Sequence, residues 1–172
     1  MKTSHASAIL LAAISMGLGI SARSAAAEPS AEITEYGRYT VEGTALTPTT
    51  NKTSGSVVVS HDKEVLAETT DKIPCRLGET FGIKVKFNDL PADRPFAIKY
   101  VVKHPPINQP DGQILRESVV SDRKFEPGTK SGGLYFWSFV KGFEYELSPG
   151  DWTFLLYVDG KEVARFVFHV LA

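Results

Sequence analysis

Near the carboxyl end of the chain, two runs of apolar, β-branched and aromatic residues flank one Asp-Gly pair. The runs cover residues 152–158 and 163–171, and Asp159 and Gly160 lie between them. Because Asp and Gly both tolerate the positive φ of a tight turn, this pattern predicts a β-hairpin. The lead-in at residues 147–152 reads Leu-Ser-Pro-Gly-Asp-Trp, which is typical of a strand entering a β-sandwich. The hairpin therefore favours an all-β architecture and disfavours an enzyme scaffold.

Similar short apolar runs extend back to residue 28. Apolar and polar residues alternate within them, and Gly, Pro, Asn and Asp interrupt them every eight to twelve residues, a spacing typical of sandwiches and barrels. We predict a single antiparallel β-sandwich of about seven to nine strands, with a bulge at Gly37. A short helix at residues 62–68 stays open as an alternative. Before the hairpin, strands are predicted at residues 33–41, 56–61, 65–70, 81–87, 96–103, 113–121 and 134–143.

Large aromatic side chains occupy the inward-facing positions of these predicted strands. Each contributes roughly 1.5–3 kcal/mol when it is fully buried, so a domain of this size can fold without crosslinks. Trp152 is expected at the centre. The predicted core aromatics are Phe81, Phe87, Phe96, Trp152, Phe154, Phe166 and Phe168.

Polar, proline-rich or glycine-rich segments separate the predicted strands. Residues 44–55 are rich in Thr and are expected to form an exposed loop. Residues 104–112 contain three prolines. They are expected to form a stiff loop, because each proline fixes its own φ and restrains the preceding residue. Residues 126–133 contain three glycines and are expected to form another loop.

The first 27 residues are typical of an export signal. Lys2 is followed by thirteen uncharged residues at 8–20, and small residues at 24–27 fit a signal-peptidase site. Thirteen residues rise only about 20 Å as a helix, less than the roughly 30 Å of a bilayer core. We predict a cleaved signal peptide at residues 1–27 and a β-sandwich domain at 28–172. The processed protein is expected in the periplasm or outside the cell, without membrane insertion.

Charge and cysteine content exclude several further classes. Loss of residues 1–27 removes Lys2 and Arg23 and leaves 17 basic against 20 acidic residues, a net charge near −3. Isolated basic residues do not form the positive surface that nucleic acid or an anionic bilayer requires. Cys75 is the only cysteine, so the fold has no internal disulfide. We expect a buried structural thiol, with a reactive thiol as the alternative.

Residues capable of catalysis or metal binding lack the spacing that such sites need. His61, His104 and His169 do not show a zinc-site spacing. The sequence has no Gly-x-Ser-x-Gly motif and no glycine loop followed by a helix. The acidic residues fit solvated strand faces rather than paired glycosidase carboxylates. The sequence therefore predicts no enzyme, no catalytic residue, no metal and no cofactor.

The predicted strand at 134–143 is a first candidate for ligand binding. Tyr135, Trp137 and Phe139 share one of its faces, and the opposite face is also apolar. Such a strand is either buried on both sides or exposes one side to a partner. In the second case these rings form a flat platform for sugar rings or for apolar side chains of another protein.

The proline-rich segment at 104–112 is a second candidate. His104, Pro105 and Pro106 begin it, and the rigid backbone is expected to hold the imidazole in a defined position. A hydrogen bond that anchors the loop is the alternative role for His104.

Several short motifs, taken together, resemble those of a bacterial family. They are Tyr36-Gly37, Leu77-Gly78-Glu79-Thr80-Phe81-Gly82, His104-Pro105, Tyr145-Glu146-Leu147-x-Pro149-Gly150-x-Trp152-x-Phe154 and Asp159-Gly160-Lys161. The chain resembles a domain-of-unknown-function family of exported β-sandwich proteins over about residues 36–170. The resemblance implies an immunoglobulin-like sandwich in the periplasm. It implies no activity and no binding residue.

Three functions are compatible with these features. The expected one is a non-catalytic exported binding or adaptor module that contacts an envelope protein through its end loops or a free sheet edge. The second is recognition of a glycan or cell-wall sugar on the aromatic strand face. The third is inhibition of a hydrolase by the proline-rich loop, whose rigidity lowers the entropic cost of binding.

Overall fold

The structure is a computed structural model that describes residues 27–48 and 57–172. The predicted signal peptide, except its last residue, lies outside the described residues, as does the segment 49–56. The described part is built almost wholly of strands, with one short 3-10 turn at Glu144–Glu146. The strands are β1 (Ser30–Glu42), β2 (Ala45–Pro48), β3 (Val57–Ser60), β4 (Lys63–Glu68), β5 (Lys72–Pro74), β6 (Thr80–Asn88), β7 (Phe96–Asn108), β8 (Ile114–Phe125), β9 (Gly132–Ser138), β10 (Gly150–Val158) and β11 (Lys161–Leu171).

These strands form two sheets that face each other and one separate hairpin. The first sheet has the order β4-β1-β6-β9, and the second has the order β5-β11-β10-β7-β8. Within the part of the chain that the structure describes, β2 pairs with β3 alone. Every pairing is antiparallel except that of β5 with β11. The nine strands of the two sheets confirm the predicted sandwich, and the short β2–β3 hairpin is an addition to it.

Every second side chain of β6 points into the core from one face of the first sheet. Phe81 and Ile83 are fully buried, whereas Lys84 and Lys86 are exposed, as the two-residue period of a strand requires. The Phe81 ring lies 5.9 Å from the ring of Trp152 on β10. Aromatic contacts of this kind join the two sheets. Every predicted core aromatic is buried except Phe166, which is half-buried and packs on the outside of the cluster.

Two local predictions about backbone conformation are confirmed. Asp159 and Gly160 both have positive φ, and they join β10 to β11 as a tight hairpin. Gly37 has a φ of 145°, and the ladder between β1 and β4 shifts its register at the adjacent Arg38/Tyr39 step. The segment 62–68, where a helix was an alternative, is extended and contains β4.

The predicted loop at 104–112 is largely a strand, which corrects the sequence analysis. β7 continues to Asn108, and Ile107 pairs with Leu115 of β8. The prolines are tolerated because both ladders are interrupted there. The β8 ladder skips from Lys103 to Ile107, and the β10 ladder ends at Lys103. Proline in a strand is confined to such bulges and free edges, where no N–H is needed. The turn itself is shorter and is closed by the Gly112 N–H, which donates to the Gln109 carbonyl.

Candidate functional site

A cavity opens on the side of the sandwich where the two sheets end in β8 and β9. Among the described residues, each of these strands is hydrogen-bonded to a single neighbour, β8 to β7 and β9 to β6. The cavity between them has a volume of about 420 Å³, within the range of small-molecule sites. Val59 of the β2–β3 hairpin also contributes to its lining. The cavity is therefore framed by two sheet edges and a hairpin.

Aromatic side chains make up much of the cavity wall. The Tyr100 and Tyr135 rings meet edge to face with their centroids 5.3 Å apart. The Tyr100 hydroxyl donates to the backbone carbonyl of Phe136 across the opening, at 3.3 Å. That bond ties β7 to the outer edge of β9, so this wall is held by a cross-sheet contact. Phe125, Phe136 and Trp137 complete the aromatic part of the lining.

Glu146 brings a buried carboxyl group to one end of the cavity. It ends the 3-10 turn between β9 and β10, and only 8% of its surface is exposed. Burial raises the pKa of this carboxyl from 4.5 to about 7, against the opposing effect of the Trp137 indole N–H. That N–H is itself buried and has no acceptor with hydrogen-bond geometry. The Glu146 carboxyl group is therefore buried without a group that offsets its loss of hydration, and the Trp137 N–H is a buried donor without an acceptor.

Arg123 lines the same cavity near its other end. It lies on β8 opposite Ile98, close to the loop that leads into β9, whereas Glu146 follows the far end of β9. Arg123 is exposed. The cavity is thus lined by aromatic, aliphatic and hydroxyl-bearing side chains, with an acidic group at one end and a basic group toward the other.

A serine–histidine pair adjoins the cavity, and its geometry is that of a structural bridge. His61 Nε2 lies 3.0 Å from the Ser138 hydroxyl, which also lies 2.8 Å from the Thr80 hydroxyl. The other imidazole nitrogen contacts the Thr44 hydroxyl at 3.0 Å, where a catalytic triad has a carboxylate. Burial lowers the pKa of His61. The chain of contacts joins the β3–β4 turn to β9.

The structure places the predicted aromatic residues at the cavity and in the core. Phe139 is 1% exposed and packs between Phe81 and Trp152, and Trp137 is 9% exposed. These two rings therefore do not form a flat exposed platform. Tyr135 and Trp137 line the cavity, whereas Phe139 does not. The interpretation of this face as core is confirmed, and two of its rings also reach the cavity.

The second predicted candidate, His104 with Pro105 and Pro106, lies outside the cavity lining. His104 is buried on β7, with Nδ1 2.8 Å from the Pro105 carbonyl and Nε2 3.2 Å from the Ser118 hydroxyl. Burial lowers the pKa of His104. Both ring nitrogens have partners, so the side chain has the anchoring role that was its alternative. Pro105 packs near Gly150 instead of extending from a loop.

The described residues show neither a cluster of metal ligands nor an activated cysteine thiol. Within 27–48 and 57–172, no three His, Cys, Asp or Glu side chains are grouped as metal ligands. His169 is exposed and lies 2.7 Å from Asp151. Cys75 is half-buried, and burial raises the pKa of its thiol, which disfavours the reactive thiolate. In the same residues, no helix has the length and apolarity needed to cross a bilayer.

Comparison with known families identifies the domain. Residues 28–170 match the family described as Domain of unknown function (DUF3859). The chain belongs to this family. The match confirms the resemblance seen in the sequence motifs, and it spans both sheets of this DUF3859 domain and the whole cavity lining.

One solved structure confirms the immunoglobulin-like fold of the DUF3859 domain, and two others are similar only in part. An immunoglobulin-like protein from Pseudomonas aeruginosa is similar with a TM-score of 0.55 and 20% identity, over 86% of this chain and 99% of that one. A DNA glycosylase from Pseudomonas fluorescens has a TM-score of 0.41 at 15% identity, over 60% of this chain and 28% of that one. A β-glucosidase from Listeria innocua has a TM-score of 0.39 at 13% identity, over 77% and 22%. No curated protein matches the DUF3859 chain.

The sequence indicated only some of the residues that line the cavity. Glu146 appeared there as a member of the family motif and as a charge on a solvated surface. The strand predicted at residues 96–103 contains Tyr100, and no function was predicted for Ser138. Their proximity depends on which strands form the sheet edges, which is a property of topology. One signal was available: Glu146 lies between Tyr145 and Leu147, so an apolar environment was indicated locally.

Proposed function

We propose that this DUF3859 protein is a non-catalytic exported binding module that takes a small organic ligand into the cavity between β8 and β9. One observation carries the proposal: a cavity of about 420 Å³ whose wall combines aromatic and aliphatic side chains with a smaller set of polar ones, set between two sheet edges that are unpaired among the described residues. Small-molecule sites have this character, with apolar walls and a small number of polar groups that orient the ligand. The expected location outside the cytoplasm rests on the sequence of residues 1–27.

The serine–histidine pair supports binding over catalysis. Ser138 is 6% exposed, and Thr80 and His61 both engage its hydroxyl. A nucleophile needs an oriented base and an approach to the substrate carbonyl. Here the imidazole is oriented by a neutral hydroxyl, that of Thr44. The bridge therefore serves to hold β9 and the β3–β4 turn in place beside the cavity.

A cavity-filling substitution tests the proposal. Ser121→Trp places an indole in the cavity lining, while Asp122→Trp, at the exposed next position on β8, is the matched control. Ligands are first identified by protein-observed NMR with a small-molecule library that includes cell-wall fragments. We expect Ser121→Trp to abolish binding and Asp122→Trp to preserve it. Equal affinities for the ligand in both variants would show that the cavity is not the site.

A protein segment is a second candidate occupant, favoured by the free edges of β8 and β9. An extended strand could pair with either edge and insert alternate side chains into the cavity. Crosslinking from a photoreactive residue at Ser131 would separate the two candidates. A crosslinked protein that is lost in Ser121→Trp indicates strand addition. Recovery of the uncrosslinked chain together with a small molecule indicates the first candidate.

A further inference from the structure

We propose that the Glu146 end of the cavity binds the ammonium group of an organic amine whose apolar or aromatic body fills the remaining space. This inference rests on the proposed function, since it names the ligand class of the same cavity. Glu146 is 8% exposed and lines the cavity directly. Its carboxyl group makes none of the ion pairs formed by the described residues. A buried acid without a cation is the group that a ligand cation compensates best.

The walls next to Glu146 are suited to a cation. Trp137 adjoins the carboxyl group, and Phe136 and Tyr135 lie on the same strand and line the same space. The faces of aromatic rings attract ammonium groups, most strongly those of Trp and Tyr and most of all where water is excluded. A carboxylate in a cavity lined by such rings therefore favours an amine over a neutral group of the same shape.

The unpaired donor of Trp137 points to the same end of the cavity. Its indole N–H is buried and lacks an acceptor with hydrogen-bond geometry, although it lies near enough to Glu146 to favour the ionised carboxylate. A buried donor without a partner is rare in folded proteins. An ammonium held by Glu146 would keep the carboxylate ionised, which strengthens the interaction with this N–H. Arg123 disfavours a second ammonium toward the other end.

Near neutral pH, we expect the pH dependence of ligand binding to come from Glu146 and not from the other titratable groups around the cavity. Burial raises the pKa of the phenols on β7 and β9 and lowers the pKa of the two imidazoles, so all four are neutral there. On the turn of Glu146 itself, the Gly142 N–H lowers the pKa of Glu144, which stays ionised. The titratable groups that line the cavity, adjoin its wall or lie on the turn of Glu146 are Tyr100, Tyr135, His61, His104, Arg123, Lys141 and Glu144.

Matched ligand pairs test the inference. Phenethylamine is compared with 2-phenylethanol, and tryptamine with tryptophol, so each pair differs mainly in an ammonium against a hydroxyl. Affinities are measured by protein-observed NMR at about pH 8, where Glu146 is mostly ionised, and at about pH 5.5, where it is protonated. We expect the amines to bind at least about tenfold more tightly than the alcohols at the higher pH, and to lose about tenfold at the lower pH.

Variants separate this inference from the proposed function. Glu146→Gln should remove the preference for amines over alcohols, while Glu144→Gln on the same turn, an exposed position, should retain it. Equal binding of amines and alcohols that is unaffected by Glu146→Gln overturns the amine inference and leaves the cavity function standing. Amine affinities that do not fall at the lower pH also overturn it. Binding of no probe to the wild-type protein overturns the amine inference, whereas the cavity function is decided by the library screen with Ser121→Trp and Asp122→Trp.

Discussion

The indole N–H of Trp137 lies beside the buried carboxyl group of Glu146, close enough to favour its ionised form but without hydrogen-bond geometry. Burial outweighs this effect and raises the pKa of the Glu146 carboxyl group, at one end of the cavity, to about 7. Two consequences follow, one for ligand selection and one for the stability of the empty protein. The second can be measured without knowledge of any ligand.

Stability should fall as pH rises through neutrality, because Glu146 binds its proton more tightly in the folded state. Its pKa rises from 4.5 to about 7 on folding. The unfolded chain therefore holds fewer protons between these values, and the free energy of unfolding decreases with pH there, by up to about 3 kcal/mol. The favourable contribution is complete below the unfolded pKa and is lost as pH passes the folded one. Urea unfolding across this range measures it.

Glu146→Gln is the variant that isolates this effect. It should flatten the pH dependence of the free energy of unfolding and stabilise the protein relative to wild type above neutrality. Glu144→Gln, on the exposed side of the same turn, should retain the wild-type slope. A wild-type slope in Glu146→Gln would mean that the carboxyl group is not desolvated as described.

Glu79 should be the acidic residue outside the cavity whose replacement costs most. The residue is 6% exposed, and its carboxylate accepts hydrogen bonds from Arg38 at 2.9 Å and from Arg76 at 2.7 Å. Burial alone would raise its pKa, but these bonds outweigh burial and lower it. Glu79→Gln should cost about 2 kcal/mol, discounted for the partly exposed arginines.

The comparison for Glu79 is Glu68, which pairs with the same Arg38 from an exposed position. Glu68→Gln should change the free energy of unfolding by less than about 1 kcal/mol. Because the pKa of Glu79 is lowered in the folded state, its contribution is present above the unfolded pKa and is lost on acidification. Chemical unfolding at neutral and acidic pH checks both statements, and equal effects of the two substitutions would refute them.

Replacement of Trp152 by Phe should be more damaging than the same change at Trp137. Both indoles are buried in contact, with ring centroids 5.2 Å apart. The Trp152 N–H donates to the Ser148 carbonyl at 2.9 Å, whereas that of Trp137 has no acceptor. Trp152→Phe therefore leaves a carbonyl unpaired and should cost about 1–3 kcal/mol beyond the packing loss. Trp152→Ala should cost about 3–5 kcal/mol. Thermal unfolding that ranks Trp137→Phe as the worse variant would contradict this.

Gly37→Ala should disrupt the pairing of β1 with β4. A Cβ at this position would lie 2.0 Å from the backbone carbonyl oxygen of Glu68, and the φ of 145° is unfavourable for Ala. The expected loss exceeds about 1 kcal/mol. Gly78→Ala is the control, since it also has positive φ but nothing within 4 Å of the added carbon. Similar unfolding midpoints for the two variants would show that contact with Glu68 is unimportant.

The export prediction is tested at the amino terminus of the protein. Expression of the full chain in a bacterial host should yield a periplasmic or secreted product that begins at Glu28, which intact-mass measurement detects directly. Replacing Ala27 by a bulky residue such as Trp should block processing, because signal peptidase requires small residues there. A cytoplasmic product that retains Met1 would contradict both the cleavage site and the expected location.

The amino-acid sequence by itself determined the class of fold and the content of the core. Two-residue alternation on β6 and the Asp159-Gly160 turn are local properties, and a strand or hairpin forms for local reasons that are legible in the chain. The family motifs also indicated the immunoglobulin-like fold, through the resemblance that they show. The proline-rich segment shows the limit of local reasoning: Pro105 and Pro106 disfavour a strand in isolation, but they lie where both neighbouring ladders are interrupted.

Only the tertiary structure decided where a ligand could bind. The cavity exists because β8 and β9 end their respective sheets, and this order brings Tyr100, Arg123 and Glu146 from distant parts of the chain to one space. Tyr145 and Leu147 beside Glu146 indicate apolar surroundings, but they do not determine whether its carboxylate is solvated or desolvated. The difference is made by the strands packed against it, because the environment of a charge depends on neighbours that are remote in sequence.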